Sequence, residues 1–225
     1  LNSGFYELLC DASFTFYCCS KAESRFEQNR FARASILSTV LSIESLSNVL
    51  LSILELSKAT RNDFDKLPVL AKFDSYLLTR HHKTMDRGRV EIGKIQDLVN
   101  LRNSFVHPKP GTGKTKAHFS GLSAEQTRDA PEYDIHLSPQ KYGNVNILKE
   151  SNLWAVQDAK ECLIAASNFI NYFLSFLERD EIETIKGNLA TTIEPFGVRM
   201  VTEEIYSELS RLETIGVDFT EIIYR

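Results

Sequence analysis

The chain has 225 residues, a net charge of −4, 43% hydrophobic and 25% charged residues. That composition excludes collagen, low-complexity disorder and a small disulfide-knotted scaffold, and the length suffices for a packed core without staples. The mild acidity excludes a uniformly basic, histone-like nucleic-acid binder but permits a local basic patch.

Residues 4–20 are apolar and aromatic, with little turn chemistry, and read as a helix. A long helical run without Gly or Pro follows at 24–57. Between Ile36 and Leu54 its only formal charge is Glu44, and that length could span a bilayer. Ser38, Thr39, Ser42, Ser45, Ser47, Asn48 and Ser52 are scattered through it, and a carboxylate at mid-span would cost a few kcal/mol in lipid. A helix apolar nearly all round is then expected in a protein core rather than in a membrane. Asn62-Asp63 and Pro68 punctuate the chain, a short helix is expected at 69–80, and Gly88 marks the next break.

A third long helix is expected at 89–107, stopped by Pro108, which puts His107 on the last turn. Residues 108–150 hold four glycines and four prolines and read as a long loop insertion, with room for a short strand pair. Ser151 is the expected N-cap of a helix reaching about 180, whose Phe169, Tyr172, Phe173 and Phe176 have core spacing. The remainder, 181–225, reads as an acidic tail with a helix at 201–214. Long helices, short links and no alternating strands define an all-α bundle.

On the helix at 89–107, Ile92, Ile95, Val99 and Val106 form an apolar stripe, widened by Leu98, Leu101 and Phe105. Arg102 falls inside this arc, where an arginine must pair or line an interface. Beside it, Gln96, Asn100, Asn103 and His107 form a polar stripe without a formal charge. A merely solvated stripe would more often carry Lys and Glu, so this face is expected to meet something specific.

The two arcs meet in Arg102-Asn103-Ser104-Phe105-Val106-His107. This Arg-Asn, three residues, then His resembles the signature of the HEPN superfamily, over roughly residues 5–180. The resemblance implies a HEPN-like helical bundle that acts as a homodimer, its two motifs facing each other. It also implies a metal-independent endoribonuclease of the toxin or phage-defence kind, with no cofactor and no metal. Cleavage would proceed by attack of the RNA 2′-hydroxyl, the group that separates RNA from DNA. By the resemblance His107 is the general acid or base, Arg102 stabilises charge on the scissile phosphate, and Asn103 orients the ring or the phosphate. Glu44 and Asn48, one turn apart on the preceding long helix, are expected to pair with Arg102 and fix its rotamer. Where a subset of the family has Tyr two residues after the His, this chain has Lys109, which puts modification of that position by a partner nucleotidyltransferase in question. The alternative is a HEPN-like module without catalysis, binding RNA or a partner protein, with Arg102 in a structural ion pair and His107 capping its own helix.

From Arg80 to Lys116 nine basic residues face three acidic ones, a local excess of six. Phosphate binding needs such a local field more than a basic average, and the loop lysines Lys109, Lys114 and Lys116 are the expected RNA contacts. Gly111-Thr112-Gly113-Lys114-Thr115 lacks the first glycine of a Walker A loop, since Pro108 stands there, so a nucleotide P-loop is not expected. His81-His82 has no second cluster at ligand spacing, and Cys10, Cys18, Cys19 and Cys162 contain no CxxC pair, so no metal is expected. Reduced thiols are the simplest reading of the cysteines, no basic segment followed by an apolar run resembles a signal peptide, and a cytoplasmic location is expected. The expected organisation is a bundle at 1–180 with its insertion at 108–150, followed by the tail. RNA, a second copy and an antitoxin or regulatory protein are the expected partners, and no membrane is among them.

Overall fold

The computed structural model describes residues 4–107, 140–193 and 198–223. The fold is all-helical, with one short antiparallel ribbon. Helix α1 (Phe5–Lys21) and α2 (Arg25–Ile53) form an antiparallel hairpin. α3 (Lys58–Phe64), α4 (Val69–His81) and α5 (Val90–Val106) follow. A 3₁₀ turn at Ser151–Leu153 leads into α6 (Val156–Leu174) and α7 (Arg179–Leu189). The ribbon pairs β1 (Thr191–Ile193) with β2 (Val198–Met200) before α8 (Glu203–Ser210) and a 3₁₀ segment, Arg211–Ile215.

α2 is the axis of the bundle, packed against α1, α4, α5, α6 and α7. It is long and apolar enough to cross a membrane by length and composition, yet just over half of its most apolar window is buried inside this fold. Its buried serines and threonine are small enough to let neighbours approach, and Ser35, Thr39, Ser42 and Ser47 each donate to a carbonyl. Ser35 donates across to Ala12 on α1 at 2.8 Å. Thr39, Ser42 and Ser47 donate back along α2 itself. The helix opens on Ser24 as N-cap, whose hydroxyl accepts from Glu27 N and donates to the Glu27 carboxylate. It ends at Ile53, four residues short of the expected 57, because Ser57 caps the separate helix α3 through Thr60 N.

The helix expected from Ser151 to about 180 divides. Its true start is Ala155, whose N–H is taken by the Asp158 carboxylate at 2.9 Å. Upstream, Trp154 is buried and donates to Leu148 O at 2.6 Å, while Asn29 of α2 holds the Ser151 and Trp154 carbonyls. α6 then presents Phe169 and Phe173 to Phe73 of α4, both rings edge-on at 4.9 Å. Tyr172 and Phe176, expected in the core with them, pack half-buried at its edge.

Within the expected insertion, 108–139 lies outside the described residues. Residues 140–150 form a tight turn with one bridge, Lys141 to Leu148, that buries Val145 and Ile147. The turn docks on α5: Asn144 N donates to Asp97 and its side chain lies over Gly93. A Cβ on Gly93 would meet Asn144 at 3.1 Å, which explains a glycine inside a helix.

The stretch from 181 onward shares the core rather than trailing from it. Leu209, Leu212, Val217, Phe219 and Ile222 are buried in the same apolar cluster as α1 and α2. Tyr6 of α1 donates to Ile222 O at 2.7 Å, and Ser167 of α6 both donates to and accepts from Asp218. The composition is acidic because the outward faces of α7 and α8 are, not because the segment is unpacked. The helix expected at 201–214 is α8 plus its 3₁₀ continuation, ended by Gly216 at φ 81°. Phe219→Ala should therefore cost about 3–5 kcal/mol in urea unfolding, within a single transition. A chain cut after residue 180 should lose cooperative unfolding, whereas an independent bundle would keep it.

Candidate functional site

α5 is the element that sorts the expected site. Ile92, Ile95, Leu98 and Leu101 make its buried line, and Val99 and Phe105 are half-buried. Val106, expected in the apolar stripe, is 51% exposed, because the stripe turns away from the core over the last turn. Gln96, Asn100, Asn103 and His107 are all exposed, as the uncharged polar stripe requires. Gln96 donates to Asn100, and Ser104 reaches the Asn100 carbonyl and the Tyr142 hydroxyl.

Arg102 sits between these faces and pairs with Glu44 of α2, as expected. Each side chain keeps about a fifth of its surface exposed, 20% for Arg102 and 21% for Glu44. Arg102 Nη1 also donates to Asn103 Oδ1 at 2.8 Å, so Asn103 orients the arginine. Arg102 Nε is buried and has no hydrogen-bond partner among the described residues.

Asn48 does not join this pair. Its amide oxygen instead accepts from Lys72 Nζ of α4 at 2.6 Å. Lys72 is only 8% exposed, and burial holds its ammonium below the ordinary lysine range, with the nearby Asp65 opposing that shift. The sequence reading missed Lys72. Its signal was its place at three and four residues from the buried Val69 and Tyr76, on the inward face of a short helix.

Glu44, Ser47, Asn48, Lys72, Arg102 and Asn103 together line a hollow of about 400 Å³, with Asp65–Val69 and Val99 completing its wall. His107 is not among its walls. It is the C-cap of α5, exposed, its N–H bonded to Asn103 O at 2.9 Å. Glu44, Asn48, Arg102 and Asn103 are thus brought together around the hollow, and His107 lies beyond them along the exposed edge of α5.

Much of the expected basic field is paired. Arg87 binds Asp74, Arg89 binds Glu91 while stacking on Tyr172, and His81 meets Glu181 at 2.8 Å. His82 is an exposed left-handed C-cap of α4. Lys109, Lys114, Lys116 and the Walker-like stretch 111–115 lie outside the described residues. No group of three metal-ligating side chains occurs among the described residues. All four cysteines are free thiols, and burial pushes Cys10 up to about 12 and Cys19 up to about 11, so neither is a thiolate at neutral pH.

Comparison of the chain with models of known protein families, with curated proteins and with solved structures gives no match. The reading of the site therefore rests on its residues and their geometry.

Two outcomes test that geometry. Glu44→Gln should cost about 1–3 kcal/mol, below the 3–5 kcal/mol of a fully buried broken pair, because both partners touch water. Its measure is the urea midpoint, and Arg102→Met added to Glu44→Gln should recover part of the loss. Lys72 sets a pH slope. Between its lowered folded pKa and the ordinary 10.5, the unfolded chain holds a proton that the folded chain has released. Stability should then rise with pH through that window, and Lys72→Met should flatten the rise in thermal melts.

Proposed function

We propose that this protein is a metal-independent endoribonuclease of the HEPN kind, cytoplasmic and acting as a homodimer in a toxin or phage-defence role. The observation that carries the reading is the Arg102–Asn103 fork. Glu44 holds it from behind at the edge of a solvent-reachable hollow, and it opens onto the exposed uncharged face that ends in His107. A guanidinium fixed in one rotamer is preorganised for phosphate oxygens, because its planar fork matches them and it loses little freedom on binding.

In the reaction this implies, His107 accepts the 2′-hydroxyl proton and the oxygen attacks the adjacent phosphorus. Arg102 stabilises the charge that builds on the phosphoryl oxygens. The 5′-oxygen leaves with a proton from a second acid, leaving a 2′,3′-cyclic phosphate. A single His107 stands on each chain's α5, so the second acid is assigned to the His107 of another copy. The outward Gln96, Asn100 and Val106 suit the facing of two α5 helices, since burying them strands no formal charge. An antitoxin or regulatory protein would act by covering that face.

The second reading is a helical module without catalysis, binding RNA or a partner protein. Two observations favour it: Arg102 is already engaged by a carboxylate, and His107 stands apart from the hollow. Cleavage of a mixed cellular RNA pool in EDTA separates the two. The nuclease reading expects 2′,3′-cyclic phosphate ends. It also expects His107→Ala to lower the rate by about 10²–10⁴-fold with the fold intact. Equal background from both proteins, with the wild type a dimer by light scattering, would select the module.

A further inference from the structure

The hollow between α2, α4 and α5 holds more positive capacity than the Arg102–Glu44 pair uses. Lys72 is a lysine more than nine-tenths removed from water, and its ammonium has one hydrogen bond among the described residues, to a neutral amide oxygen. An ammonium carries three donors, so two are left for something else. Arg102 Nε is a second buried donor without a partner at the same hollow. The third feature is the start of α4. Pro68 offers no side-chain acceptor as N-cap, the first turn has no acidic residue, and Pro68 and Val69 lie on the wall. The positive end of a thirteen-residue helix is thus left unneutralised there.

The charged side chains around the hollow are Glu44, Asp65, Lys66, Lys72 and Arg102. Glu44 is engaged by Arg102, and Lys66 turns to Asp63 on the surface. Asp65 remains on the wall as the one opposing charge, close enough to Lys72 to favour its ammonium. Lys72 buries its stem and brings Nζ to the exposed Asn48 at the hollow, with Asp65 as its nearby carboxylate, and a bound anion would add counter-charge there. A volume of about 400 Å³ admits a phosphate with part of a nucleotide attached.

We propose that this hollow is a phosphate subsite. In it Lys72 Nζ and the start of α4, beside the Arg102 guanidinium, bind the phosphate of an RNA strand next to the one that is cut. The assignment rests on the nuclease reading for its ligand, and it makes Lys72 a substrate-binding residue contributed by a helix outside the Arg–His motif. Asn48 is then a positioning residue that aims Lys72.

The test is calorimetric titration of the full chain at about 50 mM salt with inorganic phosphate, adenosine, 5′-AMP and a 2′-O-methyl tetranucleotide, which cannot be cleaved. The phosphate-bearing probes should bind and adenosine should not, and the tetranucleotide should bind at least tenfold more tightly than 5′-AMP. Lys72→Met should weaken tetranucleotide binding at least tenfold, while the surface change Lys21→Met at the end of α1 should leave it within twofold. Asn48→Asp, which keeps the shape but gives Lys72 a built-in counter-ion, should weaken it likewise and serves if Lys72→Met does not fold. Lys72→Arg should restore part of the affinity. Equal binding of adenosine and 5′-AMP, or full affinity in folded Lys72→Met or Asn48→Asp protein, overturns the subsite. Tighter binding of 5′-AMP than of the tetranucleotide overturns RNA as its source. Lys72-dependent phosphate binding in a protein without His107-dependent cleavage upholds the subsite and removes the nuclease reading. Cleavage with unchanged kcat/KM in Lys72→Met removes the subsite alone.

Discussion

The fold turns on one constraint: α2, the axis of the bundle, carries Glu44 and Asn48 where α5 and α4 reach it. A half-buried carboxylate beside a core needs a partner, and the exposed Asn48 supplies an acceptor for the inward-facing Lys72. Each is satisfied from a different neighbour, Glu44 by Arg102 of α5 and Asn48 by Lys72 of α4. Because the two acceptors are four residues apart, the two donors must come in at adjacent levels of α2. That fixes the height of α4 and α5 against the central helix, which apolar packing alone would leave free to slide by a turn. The hollow between these helices is the space the two polar bridges hold open.

The same arrangement explains why the site is not simply a structural ion pair. A closed bridge would use all the donors that the burial of Arg102 and Lys72 removes from water. Here a guanidinium Nε and most of an ammonium remain uncommitted, and α4 begins without a cap at the same place. Natural proteins tolerate such local deficits chiefly where a ligand makes them good. Glu44 meanwhile fixes Arg102 without fully screening it, since a fifth of each side chain stays exposed.

What the sequence disclosed follows from how local each signal was. The four polar positions of α5 are exposed as their spacing requires, because helical periodicity is a property of a few consecutive turns. Arg102 in an apolar arc correctly implied a partner, and Glu44 was the one carboxylate between Ile36 and Leu54 of the long core helix. Asn48 was misassigned because an amide gives no charge to match, and its lysine lies on a short helix whose inward face only the tertiary fold defines. The break between α2 and α3 and the start of α6 at Ala155 turn on single caps, Ser57 and Asp158, which compete with equally plausible neighbours such as Ser151. The packing of the described residues from 181 onward was hidden by its acidity: Tyr6, Ser13 and Ser167 hold its backbone through contacts 216, 195 and 51 residues apart. Composition reports solvent-facing charge more loudly than it reports a few buried apolar residues.

α5 brings the two halves of the proposed chemistry to different degrees of order. Arg102 is held by a side chain of another helix and by its own neighbour Asn103, so its position is set by the core. Among the described residues His107 is held only by the backbone at the end of α5, one N–H to Asn103 O, and the residue is exposed. A general base needs its ring aimed within a few tenths of an ångström of the proton it takes. In a single copy nothing among the described residues aims it. The exposed face between the two, Gln96, Asn100, Asn103 and Val106, is uncharged and can be covered at little cost in desolvation. Under the nuclease reading the second copy does more than supply a second acid. By covering that face it excludes water from the Arg102 edge and packs the His107 ring, so that assembly itself completes the site.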